Sequence, residues 1–358
     1  MEKKILNLLA SGNAGGIERL CLDVARISNM NNYFYFMWGG GLIAEEIKKY
    51  TKNVKIREFK YNNIFHEYKY FEDYIKYNQI DIILLQIPSP IYLLFLRLIK
   101  SRMRNIKLCI YIHADPNDIF NTRLKKWQIA RCKELFDGAI TISQYVDRET
   151  KKYLCGKDNS VIYNGVDTSR FMNKKMLDDV EVFRIIYVGR IVPEKGLDKL
   201  IKGLIKCDFQ FDFTIVGDGV QIQELVELVE TLGLSKQIHF VGAKSNVEIW
   251  LSQADVFVHP VNCNEGFGIS LIEAMASGVP CLAYARGAIP EIINDGVNGF
   301  IDYDLSGDSF MKNLEKIYRI WKYDIDKYRK ISSNAVRRSK DFGIEEYINN
   351  LNSFLMNL

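Results

Sequence analysis

The residues best suited to chemistry lie between His259 and Pro280, in HPVNCNEGFGISLIEAMASGVP. This stretch carries two carboxylates, Glu265 and Glu273, around the glycine-punctuated segment Gly266-Phe267-Gly268-Ile269. A glycine loop that opens a helix delivers backbone N–H groups at the positive end of the helix dipole, a place that suits an anion. Carboxylates beside a phosphate site repel the phosphate unless they serve another part of the same ligand. Vicinal hydroxyls of a ribose or hexose can each donate a hydrogen bond to a carboxylate. Phosphate and diol on one molecule describe a nucleotide sugar. The spacing alone also fits an ordinary strand-to-helix turn with two solvated glutamates, because an isolated glycine loop is a weak signal.

Other residues could serve the same ligand. In GRIVPEKG, Gly189 precedes Arg190 and Lys195, two cations around a proline turn that follows the apolar run 183–188. Most Arg and Lys are solvated, but a position at the carboxyl end of a strand is where an anion would bind. His113 ends another apolar run, in YIHAD, with Asp115 and Asp118 close behind; a lone histidine is more often structural. Ser11-Gly12-Asn13-Ala14-Gly15-Gly16 forms a glycine turn between a first strand and a first helix, so a ligand could approach the backbone closely. It is not GxGxxG, and no acidic residue stands where a dinucleotide would need one. The four histidines have no metal-ligand spacing, and the seven cysteines contain no CxxC pair, so free thiols in a reducing compartment are expected. Asp302-Tyr303-Asp304 resembles a metal-binding DxD only superficially, since it follows NGFI.

These residues need a scaffold of alternating strands and helices. Apolar runs predict strands at 4–10, 34–38, 54–59, 80–87, 108–112, 135–143 and 160–163 in the first half, and at 183–188, 211–216, 237–241, 255–259 and 282–284 in the second. Helical spacing is expected at 17–28, 43–50, the later part of 61–77, 91–107, 144–153, 224–233, 269–277 and through 310–358. Gly278 and Pro280 should stop the helix that begins at Ile269. Residues 91–107 end in five bases without an acid, which fits a covering helix with a basic last turn or a contact with an anionic membrane surface. A length of 358 residues with 48% hydrophobic content supports two domains, and a net charge of +4 gives no argument for nucleic acid. No apolar run approaches a membrane span and the N-terminal KKILNLLA is too short for a secretory signal, so a cytoplasmic location is the expectation.

EGFGISLIEAMASGVP resembles the E-x7-E element of the retaining glycosyltransferases of family 4, which have the GT-B fold. GGIER, NGVD at Asn164–Asp167, GR-x4-K, VGDG and RGAIPE resemble further segments of that family, with Ala288 in place of a second glycine. The resemblance implies an α/β fold of two Rossmann-like doubly wound domains facing across a cleft. Residues 1–165 with the returning helix 342–358 would bind acceptor, residues 166–341 would bind donor, and the linker would span 165–177. It implies a metal-independent hexosyltransferase without a cofactor. Arg190 and Lys195 would clamp the diphosphate, Glu265 and the backbone of Gly266, Phe267, Gly268 and Ile269 would hold sugar and phosphate, and Glu273 the ribose. Val241, Gly242 and Ala243 would meet the base, His113 the sugar, and Gly15 and Gly16 the phosphates and acceptor. The partners would be a nucleotide sugar and a glycan or lipid-linked glycan of capsule, exopolysaccharide or lipopolysaccharide, with peripheral contact at the inner membrane face. Two alternatives stand beside this: an inactive glycosyltransferase-like subunit, and a nucleotide-sugar epimerase of the same fold.

Overall fold

Most of the short apolar runs become buried strands, and among the described residues every named strand pairs in parallel with its neighbours. The computed structural model describes residues 3–13, 15–132, 134–154, 158–171 and 181–358. The chain divides into two units, Met1–Gly165 with Ile344–Leu358, and Val166–Gly343. Of the linker expected at 165–177, the part from 172 onward lies outside the described residues.

The first unit holds seven strands: β1 (Lys4–Leu9), β2 (Asn31–Phe36), β3 (Val54–Ile56), β4 (Ile82–Leu85), β5 (Lys107–Ile112), β6 (Gly138–Thr141) and β7 (Asp158–Val161). Their order is β3-β2-β1-β4-β5-β6-β7, all parallel. The winding reverses between β1 and β4, and the carboxyl side of such a switch point is where open α/β sheets bind ligands. All of β4, IILL, is buried, as expected of a central parallel strand covered on both faces.

Of the stretch 91–107, the part up to Arg102 is a covering helix, and Lys107 already begins β5. The helix spans Pro90–Arg102, with Pro90 in its first turn, and the Ser89 side chain caps its start by accepting from the Tyr92 N–H. Tyr92, Phe95, Leu96 and Ile99 face inward. Three of the five bases of 91–107 meet carboxylates within the unit. Lys100 donates to Asp137 at 2.7 Å, Arg102 to Glu72 at 3.2 Å, and Lys107 lies 3.9 Å from Asp137. The last helix, Ile344–Asn357, packs on this unit: Tyr347, Leu351 and Leu355 are buried, and Ser28 donates to Asn352 at 3.1 Å.

The second unit holds β8 (Phe183–Val188), β9 (Phe211–Val216), β10 (Ile238–Gly242), β11 (Val256–His259), β12 (Cys281–Tyr284) and β13 (Gly299–Asp302), in the order β10-β9-β8-β11-β12-β13. Again all pairs are parallel and the switch falls between the first strand of the unit and its fourth, β8 and β11. The two are tied at their amino ends by Arg184, whose fork meets the buried Asp255 carboxylate at 2.8 and 2.7 Å. Phe183, Tyr187, Phe213, Val256 and Val258 belong to the core beneath.

Sequence reading missed β13, which hides behind turn residues: the apolar run GFID is only four residues long. The same strand explains Asp302-Tyr303-Asp304. Asp302 is buried and its Oδ1 accepts from the backbone N–H of Asp304 at 2.9 Å, so it caps a turn. The long helical run 310–358 is three helices, Gly307–Tyr323, Ile325–Ser339 and Ile344–Asn357. Among the described residues no helix is long and apolar enough to cross a membrane.

Candidate active site

In the second unit the candidate residues leave the sheet from the carboxyl ends of the switch strands. Gly189 and Arg190 follow β8, and His259 closes β11 ahead of the Glu265 loop. The helix Ile269–Ala276 then opens on Gly268, which has φ 98° and makes no side-chain cap. Some other helices are capped by Ser89, Thr122, Ser143, Ser306 and Asp324, whereas several, such as Leu197–Leu204 and Ile222–Thr231, also start without a side-chain cap. The helix stops as its sequence demands: Gly278 N–H donates to Met275 O at 2.9 Å and Val279 N–H to Ala274 O at 3.0 Å, a Schellman closure.

Glu265 and Lys195 meet although seventy positions separate them. The Lys195 ammonium donates to Glu265 Oε2 at 2.7 Å, and the two side chains keep 15% and 20% of their exposure. Two glycines make this approach possible. Gly196 has φ 69°, and a Cβ on it would stand 2.2 Å from the Pro260 carbonyl, so the Lys195 turn lies flat against the chain leaving β11. Asn262 N–H donates to Glu194 O at 2.9 Å and fastens the same contact. Gly287 has φ 59°, and its Cβ would stand 2.1 Å from Glu265 O. The neighbouring Ala288 donates its N–H to that oxygen at 2.9 Å and has φ −85°. An alanine therefore fits where a second glycine was expected, because Gly287 alone makes the close approach.

His259 is part of this cluster and was missed. It is buried, with Nε2 3.3 Å from Glu265 Oε2 in a contact without hydrogen-bond alignment. Burial holds its imidazole below the usual range, only partly offset by Glu265. Burial alone would raise the Glu265 carboxyl, yet His259 and Lys195 outweigh it and bring it down to about 2. Since His259 is neutral at pH 7, Lys195 is the cation that faces the carboxylate there. The signal in sequence was a histidine ending an apolar strand six residues before a loop glutamate.

The remaining candidate residues of the second unit spread along the same edge. Arg190 is exposed, and its carbonyl accepts from Tyr187 Oη at 2.7 Å. Glu273 is half-buried on the helix behind the glycine loop. Phe267 turns its ring into the interior, edge-on to Phe342 at 5.5 Å, so its backbone is what it can offer a ligand. Val241, Gly242 and Ala243 lie at the end of β10, where the register slips and Gly242 O accepts from Gly217 N–H at 3.0 Å.

In the first unit, Gly15 begins the helix Gly16–Ile27, also without a side-chain cap. The Glu18 carboxylate folds back over it, and burial raises that carboxyl. His113 follows β5. Its Nε2 lies 2.7 Å from Gln86 Oε1, its ring packs 4.0 Å from that of Tyr111, and its Nδ1 is buried without a partner. Burial brings the imidazole down to about 3. Gln86, just past β4, is 4% exposed and was not singled out from sequence.

The two doubly wound parallel sheets and the site residues at their carboxyl edges define a GT-B protein. Family models agree: "Glycosyltransferase Family 4" matches residues 14–170 and "Glycosyl transferases group 1" residues 169–338. The chain belongs to the family 4 glycosyltransferases. It is 33% identical over 168 residues to an uncharacterized glycosyltransferase, MJ1178, of Methanocaldococcus jannaschii, covering 46% of this chain and 45% of that one. It is 32% identical over 208 residues to the lipopolysaccharide core biosynthesis mannosyltransferase LpsB of Rhizobium meliloti, covering 52% and 58%. The chain thus spans about half the length of these curated relatives. In fold it is similar to Anabaena HepE, crystallised in complex with UDP, with a TM-score of 0.84, 20% identity, and coverage of 99% of this chain and 100% of that one.

Proposed function

We propose that the protein transfers a hexose from a nucleotide diphosphate sugar to a hydroxyl of a growing bacterial surface polysaccharide, with retention at the anomeric carbon and without a divalent ion. The observation that carries this reading is the Lys195–Glu265 pair beside the uncapped helix start at Gly268. Lys195 and Arg190 supply fixed positive charge for the diphosphate, and Glu265 and Glu273 accept from sugar and ribose hydroxyls. In the reaction the bond from the anomeric carbon to the phosphate oxygen breaks as the acceptor oxygen bonds to that carbon. The acceptor proton passes to the departing phosphate on the same face. Charge grows on the phosphate, and cations fixed in advance stabilise it most. The backbone at Val241, Gly242 and Ala243 meets the base, and Gly15, Gly16 and His113 serve the substrates from the first unit. Anabaena HepE, crystallised with UDP, UDP and glucose, or UDP-glucose, supports a nucleotide-sugar donor. The lipopolysaccharide mannosyltransferase relative supports a surface-glycan acceptor.

A cytoplasmic protein acting on a lipid-linked acceptor would touch the inner face of the membrane. The helix Arg123–Ala130 supports such a contact better than 91–107 does. Only Ile129 of RLKKWQIA is buried, while Leu124 and Trp127 keep 63% and 53% of their exposure among Arg123, Lys125 and Lys126. A tryptophan and a leucine among bases suit an anionic headgroup layer. Co-sedimentation with anionic vesicles, lost in Leu124→Ser/Trp127→Ser, is the expected outcome; equal binding by that variant would remove the helix from the account.

The deciding experiment offers the protein UDP- and GDP-sugars and measures nucleoside diphosphate release with an acceptor glycan. Binding without release would favour the inactive subunit, and a changed sugar still on its nucleotide would favour the epimerase.

A further inference from the structure

A line of buried amides runs across the first sheet and ends on His113. Asn32 on β2, Asn7 on β1 and Gln86 beyond β4 are 9%, 1% and 4% exposed. Strands β2, β1, β4 and β5 are successive neighbours, so the side chains pass hydrogen bonds from strand to strand. Asn7 Nδ2 donates to Asn32 Oδ1 at 3.1 Å, Gln86 Nε2 donates to Asn7 Oδ1 at 3.0 Å, and Gln86 Oε1 faces His113 Nε2 at 2.7 Å.

Backbone carbonyls fix the direction of this line. A carbonyl only accepts. Asn32 must turn its amide nitrogen to Met30 O, 3.2 Å away, and Asn7 its amide nitrogen to Tyr33 O, 3.4 Å away. That leaves Asn7 Oδ1 facing Gln86, which must answer with Nε2 and so present Oε1 to the histidine. Reversing any one amide would bring oxygen against oxygen or N–H against N–H. His113 Nε2 therefore carries a hydrogen. A neutral imidazole has one N–H, so Nδ1 is an acceptor. It is the buried atom without a partner, and Tyr111 packed at 4.0 Å holds the ring plane.

We propose that Gln86 is a positioning residue: at the end of the Met30–Asn32–Asn7–Gln86 line it holds His113 as the Nε2–H tautomer and so presents Nδ1 as an acceptor to a substrate hydroxyl. This rests on the glycosyltransferase reading for the identity of the hydroxyl, which is a sugar O–H. The tautomer itself does not depend on that reading. The ligand chemistry is selective, because a lone pair in a buried site receives an O–H and repels a phosphate or carboxylate oxygen. His113 then orients the sugar and neither donates a proton nor carries charge in the reaction.

The test uses the full chain labelled with 15N-histidine. The chain has four histidines, and His113→Asn identifies the missing signal. Long-range nitrogen–proton correlation at pH 7, without substrate, should show His113 as the pure Nε2–H tautomer. A dominant Nδ1–H form would overturn the proposal with no variant needed. Gln86→Leu keeps the volume and removes the oxygen; it should give a tautomer mixture and about a tenfold loss of kcat/KM, the size of one neutral hydrogen bond. The loss in Gln86→Leu should vanish with a deoxy-sugar donor lacking the hydroxyl that meets Nδ1. An unchanged tautomer and kcat/KM in Gln86→Leu, or an Nδ1 shift that saturating donor leaves unmoved, would also overturn it. Absence of turnover with every nucleotide sugar would instead sink the reading of the preceding subsection.

Discussion

Replacing Lys195 by alanine separates the structural from the chemical use of the ammonium. In the resting protein Lys195 bonds to Glu265 at 2.7 Å, and both side chains are mostly buried. Removing one partner of a fully buried pair costs roughly 3–5 kcal/mol, because the other charge is stranded. With 15% and 20% exposure remaining, water reaches this site, and about 1–3 kcal/mol is expected for Lys195→Ala. The Glu265 carboxyl, held at about 2 with Lys195 present, should rise. Its contribution to stability is full above the unfolded carboxylate range and fades as pH falls toward 2, so the variant should lose stability at a higher pH than the parent. The chemical loss is separate: removing a group that stabilises transition-state charge costs about 10²–10³ in kcat. The double variant Lys195→Ala/Glu265→Ala strands no charge. It should regain most of the thermal stability, measured by differential scanning calorimetry, and none of the turnover, measured by nucleoside diphosphate release. Recovery of turnover together with stability would refute the reasoning, since Lys195 would then only neutralise Glu265. So would wild-type turnover in the single variant.

Glu273→Ala should weaken nucleotide binding about 10–100-fold in titration calorimetry, the size of a hydrogen bond to a charged acceptor, whereas wild-type affinity would remove Glu273 from the ribose. Asp255→Ala strands the 20%-exposed Arg184 at the amino ends of β8 and β11 and should cost about 1–3 kcal/mol in urea unfolding, with donor affinity retained wherever the variant stays folded. Gly287→Ala places a Cβ 2.1 Å from Glu265 O at φ 59° and should cost about 1–3 kcal/mol and depress turnover. Because folded His113 stays neutral down to about 3 while an unfolded histidine protonates near 6.5, its contribution is present above pH 6.5 and lost below, by about 1.4 kcal/mol per pH unit. The acid limb of the stability curve should therefore be shallower in His113→Gln, as followed by circular dichroism.

The sequence was most legible where local signals agree. Apolar runs bounded by glycine became parallel strands, and Gly278 closed its helix with the bonds its position calls for. The glycine loop after β11 and the cations after β8 could be placed because both follow strands whose carboxyl ends face one edge. What stayed hidden depends on long-range contact. His259 and Glu265 lie close in sequence, but nothing there shows that the histidine is buried and neutral, or that Lys195 completes the cluster from another strand. Gln86 looked like any polar residue after an apolar run, and its meaning comes from Asn7 and Asn32 lying on the adjoining strands. The basic end of 91–107 fitted a covering helix or a membrane contact equally in sequence terms, because Glu72 and Asp137, which meet Arg102 and Lys100, are distant along the chain.

The central claim is that fixed cations of the second unit grip the diphosphate of a nucleotide sugar. Nucleoside diphosphate release from the preferred donor, followed in EDTA for the parent and for Arg190→Ala and Lys195→Ala, tests it most directly. Turnover indifferent to the chelator and reduced about 10²-fold or more in each variant is the expected result. Turnover abolished by EDTA and restored by a divalent ion, with both variants fully active, would contradict it.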